Sequence, residues 1–133
     1  MTRNEIYNEI ENMMGEVPSM FKRIPDDTIE LEWGLFKKMQ MEGNGMPGKM
    51  RHLVGLGVAS AMKCPYCAYF HTENAKLLGA TEEELEDAAH FAKSSMGWSA
   101  YLHGIQTDME QFKKEVDQAV NFIQQEHLEE VNN

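Results

Sequence analysis

Cys64-Pro65-Tyr66-Cys67-Ala68-Tyr69-Phe70-His71, followed by Gly79-Ala80-Thr81-Glu82-Glu83-Glu84-Leu85, is the stretch whose reading decides the fold. It reads as a helix start, a helix stop and a second helix start. Pro65 suits the first position of a helix, where its missing N–H is not needed and its fixed φ is already helical. Gly79 stands where a left-handed residue ends a helix. Thr81 and Glu84 have the spacing of a capping box, which opens the next helix over residues 82–94.

The same logic extends outward in both directions. Residues 4–14 form an amphipathic helix with Ile6, Ile10, Met13 and Met14 on one face. Gly15, Pro18 and Pro25 break the stretch that follows, where Met20, Phe21 and Ile24 form one short turn. Pro25-Asp26-Asp27 opens a longer helix carrying Ile29, Trp33, Phe36, Met39 and Gln40 at intervals of three and four, and Gly43-Asn44-Gly45 ends it. Pro47 is placed as the first residue of a helix reaching Met62. Downstream, a shorter helix carries Met96, Trp98, Tyr101 and Ile105. Thr107 and Glu110 then cap a last helix striped by Phe112, Val116, Ala119, Val120 and Ile123, with a polar tail that frays after His127. With no alternating strand pattern and no internal repeat, the expectation is one all-α domain over residues 1–133, of about six to seven helices.

Composition limits the function classes. Twelve Lys+Arg against 22 Asp+Glu in 133 residues leave a net charge of −10. Nucleic acid and anionic membrane surfaces call for clustered basic residues, so neither is an expected partner. The longest apolar run, residues 53–62, is too short to cross a bilayer. The first residues have no apolar signal core, and two cysteines are too few for a disulfide-stapled scaffold. The expected location is cytoplasmic, where a cysteine pair is more often catalytic or metal-binding than structural.

That pair carries the chemistry. A Cys-x-x-Cys spacing at a helix start brings two sulfurs to one face, beside unpaired N–H groups and the positive end of the helix dipole, which favour thiolate over thiol. His71 lies four residues after Cys67, on the same face. A nucleophile, a resolving thiol and a base would then share one helical ladder. Two other readings fit the same spacing. Cys64, Cys67 and His71 with one more ligand would hold zinc, or both cysteines and the histidine could be inert core residues.

Lys49 through Gly104 resembles the alkylhydroperoxidase D-like (AhpD-like) family of the carboxymuconolactone decarboxylase superfamily. The likeness is carried by Met50-Arg51-His52-Leu53-Val54, Cys64-Pro65-Tyr66-Cys67, His71, Gly79-Ala80 and Glu82-Glu83-Glu84-Leu85. The resemblance implies an AhpD-like helical fold that assembles into trimers or hexamers. It also implies hydroperoxide reduction through a dithiol/disulfide cycle, with no cofactor and an external dithiol protein or small thiol as electron donor. By the same resemblance Cys67 is the peroxidatic cysteine, Cys64 the resolving cysteine and His71 the proton-relaying histidine. Helix position alone favours Cys64 as the lower-pKa thiol, whereas the neighbouring base favours Cys67; with the family's roles, the Cys67 thiol is expected to titrate below a free thiol.

One position departs from the family pattern. The glutamate usual twelve residues before the first cysteine is His52 here. A histidine can still relay protons, so His52 joins the candidate catalytic set, but it brings no fixed negative charge. With Cys64, Cys67 and His71 it would also complete a Cys₂His₂ metal set. A lyase of the decarboxylase type, using His71 and His52 as acid and base, is the other enzymatic alternative. Tyr66, Tyr69 and Phe70 are candidate walls of a substrate pocket, and Gly55 and Gly57 mark close helix packing near the site. Trp33, Trp98 and Tyr101 read as core or interface, His90 and His127 as solvated. The apolar surface offered by Trp33, Trp98 and 11 methionines points to a homo-oligomer.

Overall fold

Helix signals at both ends of each segment set the element boundaries. A computed structural model describes residues 1–43 and 45–132. Its helices are α1 (Arg3–Met14), α2 (Ser19–Lys22), α3 (Ile29–Phe36), α4 (Gly48–Met62), α5 (Pro65–Leu77), α6 (Glu82–Gly104) and α7 (Met109–Asn132), and no strand occurs among the described residues. The fold is all-α. Asn44, in the middle of the expected Gly43-Asn44-Gly45 breaker, lies outside the described residues.

Thr2 and Glu5 form a reciprocal capping box on α1, and Gly15 ends that helix at φ 85°, a conformation only glycine adopts without cost. Past Phe36, α3 widens into a π-helical segment, Lys37–Glu42. Pro47 caps α4 from one position before its first residue, so it stands just outside the helix and not at its first position. Gly79, at φ 92°, donates to the Lys76 carbonyl (3.0 Å) while Ala80 donates to that of Ala75 (2.9 Å), the paired bonds of a Schellman stop after α5. The Thr81–Glu84 box is formed in both directions, at 3.1 and 2.9 Å.

Three further expectations are corrected. Residues 82–104 form one helix, not two, because Ser94, Ser95 and Gly97 lower helix propensity by about 1 kcal/mol at most apiece, and no proline removes a ladder bond. The cap of α7 is Asp108, not Thr107: its carboxylate accepts from the Gln111 N–H at 3.0 Å, an acceptor the helix dipole favours. The polar tail after His127 stays helical as far as Asn132.

The chain gathers into two compact units, Met1–Ala92 and Lys93–Asn133. In the first, Ile6, Ile10, Val17, Phe21, Ile29 and Trp33 form one buried cluster. A second, built on Leu56, Ala75 and Leu85, joins α4, α5 and the start of α6. Small residues let α4 and α5 approach closely. In the second unit none of the described residues is buried, and Phe112, Val116, Val120 and Ile123 lie along α7 exposed. No helix among the described residues is long and apolar enough to cross a membrane.

Candidate functional site

The site is the pairing of α4 with α5. His52 projects from the first half of α4 and is 2% exposed, the one buried polar residue of the described core. From α5, His71 reaches back across the gap, and the two Nδ1 atoms stand 3.0 Å apart. Gly55, one turn after His52, makes the approach possible: a Cβ there would sit 2.5 Å from Cε1 and 2.6 Å from each ring nitrogen of His71. Phe70 packs edge-on against both imidazoles, with ring centroids 5.8 Å from His52 and 5.2 Å from His71, and Phe36 lies behind it.

The other side of His52 is closed by backbone. The last carbonyls of a helix have no partner in the helix itself. Here the end of the π-helical segment meets α4: Arg51 donates to the Met39 carbonyl at 2.6 Å, and the Gln40 backbone works against the lowering of the His52 pKa. Arg51 also donates to the Met46 carbonyl at 3.3 Å, fastening both ends of the turn. Burial pushes both histidines below the ordinary imidazole pKa, with Arg51 adding to the effect on His52 and His52 to that on His71. Both rings are therefore neutral near pH 7.

The cysteines flank the start of α5. Cys64 is the N-cap, and its sulfur accepts from the Cys67 N–H at 3.3 Å. Bonds from the Cys67 thiol and then from the Cys67 N–H lower the Cys64 pKa, whereas facing Cys64 raises that of Cys67. The expectation of a lowered Cys67 thiol is thus reversed. An N-cap sulfur meets the orphan N–H groups, and the sulfur one turn inside does not. Both cysteines are free and half-buried.

His52, His71, Cys64 and Cys67 therefore sit on one helix pair, joined as two couples. Among the described residues no three His, Cys, Asp or Glu side chains are arranged to hold one ion, so the Cys₂His₂ set drawn from spacing is not assembled. Of the three aromatic pocket candidates, Phe70 is at the site, while Tyr66 (85% exposed) and Tyr69 (73%) face away from the core. Trp33 is core; Trp98 and Tyr101 are exposed and meet each other. His103 caps its own turn through the Ser99 carbonyl and belongs to the second unit. From the sequence, Phe36 and Gln40 were read only as part of a helix stripe and Arg51 only as part of the family motif; none of the three was placed at the site. Only the break at Gly43 hinted that free carbonyls end nearby.

Comparison with known proteins agrees with this architecture. The model of the carboxymuconolactone decarboxylase family matches residues 25–106. A curated relative, "uncharacterized protein 4 in cox locus" of Paracoccus denitrificans, is 27% identical over 66 residues, 50% of this chain and 60% of that protein. The chain thus spans about 60% of the length of the curated relative it matches. Among solved structures, the alkylhydroperoxidase AhpD core of Rhodospirillum rubrum superposes with a TM-score of 0.70 at 19% identity, over 82% of this chain and 84% of that one. At that identity the likeness is one of fold.

Proposed function

The chain belongs to the carboxymuconolactone decarboxylase family and has the AhpD fold, and from that premise we propose that it is a thiol-dependent peroxidase working through Cys64 and Cys67. The observation that carries this reading is the Cys64 sulfur capping α5, hydrogen-bonded to the Cys67 N–H. A sulfur there is poised to bear negative charge, with a second thiol beside it and a neutral histidine one turn on.

In the proposed cycle His71 takes one proton from the dithiol, leaving one negative charge that rests on Cys64 and is shared with Cys67. The proton between the sulfurs shifts to Cys64 as the Cys67 sulfur attacks the distal peroxide oxygen. The O–O bond breaks, Cys67 becomes a sulfenic acid, and the imidazolium returns its proton to the leaving alkoxide. The Cys64 thiol condenses with the sulfenic acid, forming the disulfide and releasing water. An external dithiol then reduces the disulfide and is itself oxidised. No cofactor is required. A homo-oligomer is part of the same proposal, since α7 exposes its whole apolar stripe.

The test is hydroperoxide reduction with a dithiol donor. Activity should vanish in Cys67→Ser and persist in Cys64→Ser under excess small thiol; an inactive wild type across several donors sinks the reading. Activity on a lactone acid that survives replacement of both cysteines would instead indicate a lyase run by His52 and His71.

A further inference from the structure

His52 and His71 meet through like atoms, Nδ1 to Nδ1 at 3.0 Å. Two bare nitrogens at that distance would set lone pair against lone pair, and two N–H groups would set hydrogen against hydrogen. One hydrogen therefore lies between them, donated by one ring and accepted by the other. A neutral imidazole has a single N–H, so the donating ring is bare at Nε2 and the accepting ring is protonated there. The neutral pair thus has two arrangements, and each offers one bare Nε2 to an incoming proton. Adding a proton to that nitrogen gives the same cation from either: both Nε2 atoms protonated, with one hydrogen between the Nδ1 atoms. Which ring donates beforehand does not change the product.

We propose that His52 and His71 act as one base, a pair that takes a single proton, spreads its charge over both rings and refuses a second. The hydrogen between the rings carries the charge across, because its transfer turns one imidazolium into the other. Both Nε2 atoms of the cation are already protonated, so a second proton would have to enter the 3.0 Å gap beside the first. The rings are kept from turning out of this arrangement. Phe70 packs edge-on against both, at interplanar angles of 69° and 73°, and His71 fills the space of a Cβ on Gly55. Burial opposes a charge concentrated on either ring, and its division over two lessens that cost. Around the pair, α4 brings Arg51, which opposes charge on His52, and the π-helical segment brings the Gln40 backbone, which favours it. From α5 comes Cys67, one turn before His71, and no carboxylate is among the groups that shift either ring. His52 is on this account a positioning residue, acting on the proton through His71. The proposal rests on the peroxidase reading only for the source and destination of that proton. There, an S–H bond of the dithiol breaks, its electron pair stays on sulfur, and the proton rests on the pair until the alkoxide takes it. The pair then stores one proton, the number that each peroxide reduction borrows and returns.

Ring carbon–proton NMR of the reduced, ¹³C-histidine-labelled full chain, followed from about pH 8 to pH 5, reads the pair directly. The expected result is one common midpoint at which both rings move, with excursions that add up to that of a single exposed histidine such as His90. In His52→Asn, which keeps an amide oxygen as acceptor but takes no proton, His71 should titrate alone through the full excursion. Two midpoints in this range, a full excursion on each ring, or no proton taken by either overturns the proposal. So does one ring moving alone in the wild type, or a His71 excursion unchanged in His52→Asn. The wild-type titration decides even where the variant does not fold. No peroxide or donor is present, so the expected titration in a protein without peroxidase activity would remove the functional reading and leave the pair standing.

Discussion

Gly55 and His71 occupy one space: a Cβ on Gly55 would stand 2.5 Å from Cε1 of His71, closer than side-chain contacts allow. Helix propensity alone favours alanine over glycine inside α4 by about 1 kcal/mol. Gly55→Ala should nevertheless displace His71 and lower turnover by roughly 100-fold, the scale expected for an ångström of misplacement. Peroxide turnover measured beside helical content separates the two effects. Wild-type activity in Gly55→Ala would show that the ring need not lie there.

The order of the two thiols is open to direct measurement. Alkylation rates followed against pH, with each cysteine resolved by mass spectrometry, should show Cys64 reacting at lower pH than Cys67. Replacing Cys64 by serine removes the neighbouring sulfur that raises Cys67, so the Cys67 profile should move down towards that of an ordinary thiol. A Cys67 that ionises first in the wild type contradicts the N-cap argument.

Both histidines have folded pKa values below the ordinary 6.5. Below about pH 6.5 the unfolded chain binds protons that the folded chain refuses, so stability is full above that pH and declines as pH falls towards the folded values. The slope is at most about 1.4 kcal/mol per pH unit for each histidine. Urea midpoints at pH 7.5, 6.5 and 5.5 should fall in that order, and His52→Asn should flatten the decline. A stability flat across this range would mean that the pair is not held neutral.

Along α7, Phe112, Val116, Val120 and Ile123 form an exposed apolar stripe in a unit none of whose described residues is buried. Light scattering is expected to report a homo-oligomer. Val116→Glu with Val120→Glu should shift it towards smaller species, because two charges would be buried in the contact. A monomeric wild type would remove oligomerisation from the proposed function.

Much of the helix plan was legible because caps and breakers act locally. Thr81 and Glu84 meet across one turn, Gly79 takes the left-handed conformation its own backbone permits, and Pro65 opens α5 wherever that helix goes. The errors were local competitions decided by small margins. Asp108 displaced Thr107 as a cap, and Gly97 failed to break a helix it only weakens. The Cys64, Cys67 and His71 ladder was readable for the same reason, since i, i+3 and i+4 spacing is a property of any helix.

By itself the sequence determined the all-α class, the helix starts and stops, and the placing of two thiols and a histidine on one helix face. The tertiary structure decided what each of those groups meets. His71 turns to His52 because Gly55 leaves room on α4, Arg51 ties α4 to the end of the π-helical segment through the Met39 carbonyl, and Cys64 holds the lower pKa because its sulfur faces first the Cys67 thiol and then the Cys67 N–H. These are distances between elements and orientations of single rings. They follow from how closely two helices pack, and hydrophobic periodicity carries no information about that separation.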